Sequence, residues 1–211
     1  VNFNLLYAYA PLLKEEEKKY ENFSKSIRRR AAIIGGHNMD DYPLKMHVFN
    51  RARLIKNSKN RIPYGVDLIQ KYKRESWIVF TENKKQAKEF NKIINTKGFK
   101  SALYNTDLDS AERLENLNKF KKADLNVLVT CTALDEGFDM PEADGALILS
   151  ASSSKRQRVQ RMGRVLRITE NKPNALIVTV YSSKTEFDKL MEEAKRYHKE
   201  GVPVSWKRQD R

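Results

Sequence analysis

The chain holds a single cysteine, Cys131, in 211 residues, so no internal disulfide can brace it. Its three histidines, His37, His47 and His198, are scattered and show no metal-ligand spacing. No apolar run approaches the length of a membrane span. The start, Val1-Asn2-Phe3-Asn4, lacks the basic-then-apolar layout of a secretory signal. These absences point to a reducing, intracellular setting, cytoplasmic or nuclear and not secreted, with no membrane partner. The missing initiator methionine reads as a fragment or a processed chain. There is no G-x-x-x-x-G-K-[ST] phosphate loop, and no Asp-Glu-Ala-Asp or Asp-Glu-x-His run to hold Mg²⁺. No internal repeat and no low-complexity linker interrupt the chain.

Acidic residues are also in short supply. Against 41 Lys and Arg stand 27 Asp and Glu, a net charge of +14. So large an excess of one sign exceeds what solubility requires and points to a polyanionic partner, with nucleic acid the default. What is abundant is core material: 40% of the residues are hydrophobic, enough for one large domain or a domain with an appendage.

The apolar pattern divides the chain. Residues 5–10 read as a short strand. Lys14 to Ile34 read as a helix, with Tyr20, Phe23, Ile27, Ala31 and Ile34 at helical spacing, acids at the start and bases at the end. Residues 41–73 read as helical with a break near Pro63-Tyr64-Gly65. From Trp77 the pattern becomes strand, helix, strand. Strands are expected at 77–80, 100–104, 125–130, 145–150 and 175–180, and helices at 84–97, after an Asp109 cap paired with Glu112, and at 185–200. Leu114, Leu117 and Phe120 should face the core, as should Trp77, Phe80, Phe90 and Phe99, while 206–211 reads as a polar tail. Such alternation with near-continuous apolar strands predicts an α/β fold, a parallel sheet covered by helices on both faces, with an N-terminal helical extension. The expected division is 1–76 as strand plus helical connector, 77–182 as the α/β lobe, and 183–211 as closing helix and basic tail.

Two segments carry the chemistry. In Gln160-Arg161-Met162-Gly163-Arg164-Val165-Leu166-Arg167, a helix would place Gln160, Arg164 and Arg167 on one face at i, i+4 and i+7. Paired guanidinium groups on a rigid helix suit the charge that builds on a transferred phosphoryl group. A solvated basic helix face is the plainer alternative, but Gly163 between the arginines speaks for close packing there. Upstream lies Thr130-Cys131-Thr132-Ala133-Leu134-Asp135-Glu136-Gly137-Phe138-Asp139-Met140-Pro141.

Taken together, Thr-x-Thr-x-x-Asp-Glu-Gly-x-Asp-x-Pro and, about twenty residues later, Gln-Arg-x-Gly-Arg-x-x-Arg resemble motifs V and VI of the superfamily 2 helicases. Within that superfamily the pattern is most similar to the branch of the excision-repair helicase XPB, phage DNA helicases and restriction-enzyme motors. The basic, Ser-rich run 150–156 before motif VI fits that branch. The resemblance covers 77–182 well and 1–76 loosely. It implies the second RecA-like lobe of an ATP-dependent helicase or translocase. The phosphate loop and the Mg²⁺ ligands would then belong to a first lobe absent from this chain.

Under that resemblance Arg164 and Arg167 reach the γ-phosphate of ATP held by the first lobe, and Gln160 couples the nucleotide to them. Asp139, flanked by Gly137, accepts a hydrogen bond from the ribose; the alternative is a turn cap ahead of Pro141. Arg161 is a nucleotide-side residue or a structural one. Nucleic-acid phosphates, of DNA in the first instance, would meet Thr81, Asn105, Thr106, Thr130, Thr132, Lys155 and Arg156 at the C-terminal edge of the sheet. Two positions depart from the family pattern. Cys131 stands where Thr or Ser is usual and donates poorly to phosphate, and Tyr104-Asn105 stands where many relatives have His-Gly or Thr-Gly. The rival expectation is a non-catalytic nucleic-acid-binding or scaffold domain of the same fold. The intact Gln160, Arg164 and Arg167 favour the motor.

Overall fold

The computed structural model describes residues 3–131, 142–150 and 175–208. Strand β1 (Phe3–Tyr9) leads into three helices, α1 (Lys14–Ile33), α2 (Tyr42–Lys56) and α3 (Arg61–Lys71). Then follow β2 (Trp77–Phe80), α4 (Lys84–Thr96), β3 (Ser101–Tyr104), α5 (Ser110–Lys121) and β4 (Val127–Thr130). The remaining elements are β5 (Gly145–Ile148), β6 (Ala175–Tyr181), α6 (Lys184–Lys199) and β7 (Val204–Arg208). The described strands form one sheet in the order β3-β4-β2-β5-β6-β1-β7, and each pairing is parallel.

Side chains alternate along each strand, so every buried strand feeds two cores. Trp77, Val79, Val129, Leu147 and Val178 pack against Ile62, Val66 and Ile69 of α3 and Ala87, Phe90 and Ile94 of α4. Ile78, Phe80, Leu128, Ile148 and Ile177 pack against Leu117 and Phe120 of α5 and Leu190, Ala194 and Tyr197 of α6. This is the two-faced α/β sheet that the apolar runs predict. None of the described helices is long and apolar enough to cross a membrane.

Four helices start where a side chain accepts an otherwise unpaired N–H. Asp41 accepts from Leu44 N, Asn83 from Gln86 N, Asp109 from Glu112 N and Ser183 from Glu186 N. Helix α1 uses Glu16 differently. Its buried carboxylate accepts from Leu13 N at 3.0 Å and from Lys59 N at 2.9 Å, tying the start of α1 to the turn between α2 and α3. Helices α1 and α2 pack on each other. Arg30 forks onto Asp41 through Nε and Nη2, at 2.9 and 2.6 Å.

The structure corrects three expectations. The break in 41–73 falls between α2 and α3, not at Pro63-Tyr64-Gly65, which lies inside α3. Pro63 sits in the first helical turn, where its missing N–H would be unpaired anyway. Gly65 serves close approach: a Cβ there would come within 2.7 Å of Leu149 Cδ1. Leu114 is 55% exposed instead of core. Leu117 and Phe120 set the inward face, and Leu114 is turned off its middle by about a quarter of a helical turn. The expected polar tail begins as a strand, β7 beside β1, because Trp206 stacks on Tyr7 with ring centroids 4.6 Å apart. The sheet therefore draws strands from the first, middle and last parts of the chain.

Candidate nucleotide and nucleic-acid site

Parallel strands bring all their C-terminal ends to one edge, so residues far apart in sequence converge there. After β2 comes Thr81, after β3 Asn105 and Thr106, after β4 Cys131, and after β5 Leu149 and Ser150. Register aligns Phe80 and Tyr104 with Thr130, and Phe80 with Ile148. The stretch 132–141 departs just beyond β4 and the stretch 151–174 just beyond β5, from the two strands that flank β2. Thr132, Gly137, Asp139, Lys155, Arg156, Gln160, Arg161, Arg164 and Arg167 belong to these stretches and lie outside the described residues.

The described candidates differ in what they offer. Thr81 is buried; its N–H donates to Thr130 O at 2.8 Å and its hydroxyl to the same carbonyl at 3.0 Å. Thr130 is buried too, and its hydroxyl donates to Cys131 O at 2.8 Å. The Thr81 hydroxyl thus ties the end of β2 to the end of β4, while the Thr130 hydroxyl is engaged locally by its own next residue. Thr106 is exposed. Asn105 is fully buried. Its Oδ1 accepts from Asp107 N at 3.0 Å, and its Nδ2 has no hydrogen-bond partner among the described residues. A buried donor left unmet costs about 1–3 kcal/mol, so this amide marks a place where an acceptor is wanted.

Charge along this edge is partly neutralised. Lys84 pairs with Asp107, and Lys88 reaches the same carboxylate at 3.1 Å. Those two ammonium groups hold the Asp107 carboxyl below the usual carboxylate range, the Lys84 hydrogen bond contributing most. Lys56 pairs with Glu82 at 2.5 Å. An open cleft of about 1110 Å³ lies between α2 and the start of α4, lined among others by Arg53, Lys59, Asn83 and Lys85. These three cations have no ion-pair partner among the described residues. Lys84 and Lys85 occupy the first turn of α4, where the helix dipole disfavours positive charge. Sequence reading passed over this group because Arg53 in α2 and Lys59 in the turn after it belong to no motif. The signal that could have found it is the composition of α2, which has basic residues and no acidic one between Tyr42 and Lys56.

Among the described residues no group of three or more His, Cys, Asp or Glu could hold a metal ion.

The helicase conserved C-terminal domain model matches residues 60–169. The DNA 3'-5' translocase XPB2 of Sulfurisphaera tokodaii is 30% identical over 193 residues, 84% of this chain and 42% of that protein. The UvrABC system protein B of Fusobacterium nucleatum is 31% identical over 125 residues, 56% of this chain and 19% of that protein. The chain thus spans less than half the length of these relatives. Among solved structures, the C-terminal domain of the DEAD-box protein Dbp5 superposes with a TM-score of 0.61 at 19% identity, covering 72% of this chain and 85% of that one. The E. coli DEAD-box protein SrmB, bound to the regulator RraA, gives 0.61 at 13% identity over 100% of this chain and 92% of that one. At such identities the structures speak for the fold, and the family match speaks for the rest: the chain belongs to the helicase conserved C-terminal domain family, the C-terminal RecA-like lobe of superfamily 2 helicases and translocases.

Proposed function

We propose that this chain is the second motor lobe of an ATP-dependent nucleic-acid helicase or translocase, and that its substrate is DNA. Arg164 and Arg167 stabilise the charge that develops on the γ-phosphoryl group, and Gln160 couples the nucleotide to them. Asp139, beside Gly137, accepts from the ribose, and Arg161 contributes to nucleotide binding. The observation that carries this reading is topological. The stretches bearing the two motifs depart from the C-terminal ends of β4 and β5, on either side of β2, so both start from the edge where open α/β sheets bind ligands.

ATP would be held chiefly by a first RecA-like lobe, which would also supply the Mg²⁺ ligands. The contribution of this chain is positioning and charge: two fixed cations, excluded from bulk water when the lobes close. Nucleic-acid phosphates would run along the same edge. Asn105 brings an amide donor with no partner among the described residues and Thr106 an exposed hydroxyl, with Thr132, Lys155 and Arg156 following in the motif stretches. Thr81 and Thr130 would engage phosphate once their hydroxyls turn from the carbonyls they now serve. Arg53, Lys59 and Lys85, without an ion-pair partner among the described residues, extend the positive field. Such a motor works inside the cell, in the cytoplasm or the nucleus. The boundaries at residues 76 and 182 are then boundaries of role: 77–182 carries the chemistry, while β1 and β7 complete its sheet.

The isolated chain should not hydrolyse ATP, because the phosphate loop is not part of it. An ATPase assay on the purified 211-residue protein, with and without single-stranded DNA, tests this. Robust DNA-stimulated turnover by this chain alone would overturn the single-lobe reading.

A further inference from the structure

We propose that Arg61 is a positioning residue for nucleotide turnover, fixing the end of β5 from which the chain departs toward Gln160, Arg164 and Arg167. The inference rests on the reading of those three residues given above.

Arg61 opens α3 and is completely buried. All five of its guanidinium N–H groups have acceptors. Nε donates to Ile55 O at 2.9 Å. Nη1 donates to Leu149 O at 2.8 Å and to Val180 O at 2.7 Å. Nη2 donates to both carboxylate oxygens of Glu186, at 2.6 and 2.7 Å. One planar group thus joins the last turn of α2, the residue after β5, the end of β6 and the first turn of α6. Glu186 is itself held, since Ser182 N donates to its Oε2 at 2.8 Å.

A second tether acts on the next residue. Ser150 Oγ donates to Lys56 O at 2.7 Å. Leu149 and Ser150 are the last residues before the 151–174 stretch, and both are bonded to the α2–α3 junction. Arg61 also spans β5 and β6, the strands that this stretch connects.

Fold stability alone is a poor reason for such a group. A buried ion pair is commonly matched or bettered by apolar residues of similar volume, because desolvating two charges offsets most of their attraction. What the fork supplies that apolar packing cannot is direction: fixed angles to three carbonyls and a carboxylate at once. Phosphoryl transfer is sensitive to direction, and a displacement of about 1 Å at a reacting group costs about a hundredfold in rate.

The test uses the full-length protein that contains this chain and measures DNA-stimulated ATPase. Three variants are compared with wild type: Arg61→Lys, Arg61→Met with Glu186→Met, and Arg164→Ala. The paired methionine variant leaves no lone buried charge, but it takes a donor from Ile55 O, Leu149 O and Val180 O and an acceptor from Ser182 N, so its thermal midpoint should fall below wild type. Arg61→Lys keeps the charge and the ion pair but, with three N–H groups, cannot also bond all three carbonyls. It serves if the methionine pair fails to fold. We expect kcat to fall at least about tenfold in both Arg61 variants, with KM for ATP within about twofold, assayed well below their midpoints. A loss of folded protein would lower the active fraction without this effect per folded molecule. A kcat near wild type in folded Arg61 variants, while Arg164→Ala is inactive, would overturn the positioning role alone. Normal turnover in Arg164→Ala would remove the reading on which the inference stands.

Discussion

Trp77 lies flat across Gly145: a Cβ on the glycine would come within 2.5 Å of the indole Cε3 and 2.6 Å of Cδ2. The two residues face each other where β2 pairs with β5, and the indole is fully buried. Glycine is there for space, not for an unusual backbone angle.

Gly145→Ala should therefore destabilise the lobe. The ring has no room to retreat, and overpacking of this kind costs about 1–3 kcal/mol. Chemical denaturation of the wild-type and variant chains checks it. An unchanged midpoint would show that Trp77 can move aside, and with it the central strand pair from which the site is built.

Acid should weaken the contact between α1 and α2. Arg30 beside Asp41, aided by Leu44 N–H, holds the Asp41 carboxyl at about 2, below its ordinary 3.8. A carboxyl depressed in the folded state stabilises above its unfolded pKa, and that contribution is lost as pH falls through the folded value. Asp41→Asn keeps a good helix cap while removing the charge. The gap in thermal midpoint between wild type and Asp41→Asn should narrow as pH falls from about 4 to about 2. The effect should be shallow, since Arg30 is 35% exposed and the pair is screened. A gap independent of pH across this range would contradict the assignment.

How far the sequence could be read depended on how local the signal was. β2 was legible to the residue because Trp77-Ile-Val-Phe80 is apolar throughout and bounded by polar residues. Ala87, Phe90 and Ile94 were legible because helical spacing alone puts them on one face. The fate of Val204–Arg208 was not, since a short edge strand is defined by its neighbour β1, about two hundred residues earlier. Pro63-Tyr64-Gly65 misled because proline and glycine usually signal a break. Here one sits in a first turn and the other makes room for Leu149. The burial of Thr81 and Thr130 was illegible as well. A hydroxyl at a strand end reads the same whether it faces solvent or a neighbouring carbonyl. Arg61 gave no signal at all, because apart from Ile55 O its acceptors, Leu149 O, Val180 O and the Glu186 carboxylate, lie 88 to 125 residues away in sequence.

Nucleic acid should bind the chain weakly, without sequence preference, and with strong dependence on salt. The charge of +14 supplies the attraction, and each neutralised phosphate releases counterions. Titration of a labelled single strand at about 50 and about 200 mM salt should show affinity falling by at least about tenfold, the scale for a few phosphate contacts. Affinity that ignores salt would argue against a surface that tracks the backbone.

The proposed motor role is tested most directly at the motif arginines, in a protein that joins this chain to a first lobe. Removing one preorganised transition-state donor raises a barrier by about 3–4 kcal/mol. Arg29 is an exposed residue of α1 and provides a control with the same change of charge. ATP hydrolysis should be abolished in Arg164→Ala and in Arg167→Ala and remain normal in Arg29→Ala, with DNA binding and thermal midpoint close to wild type in all three. Near-normal ATPase in both motif variants would contradict the assignment and leave only a basic surface on a RecA-like fold.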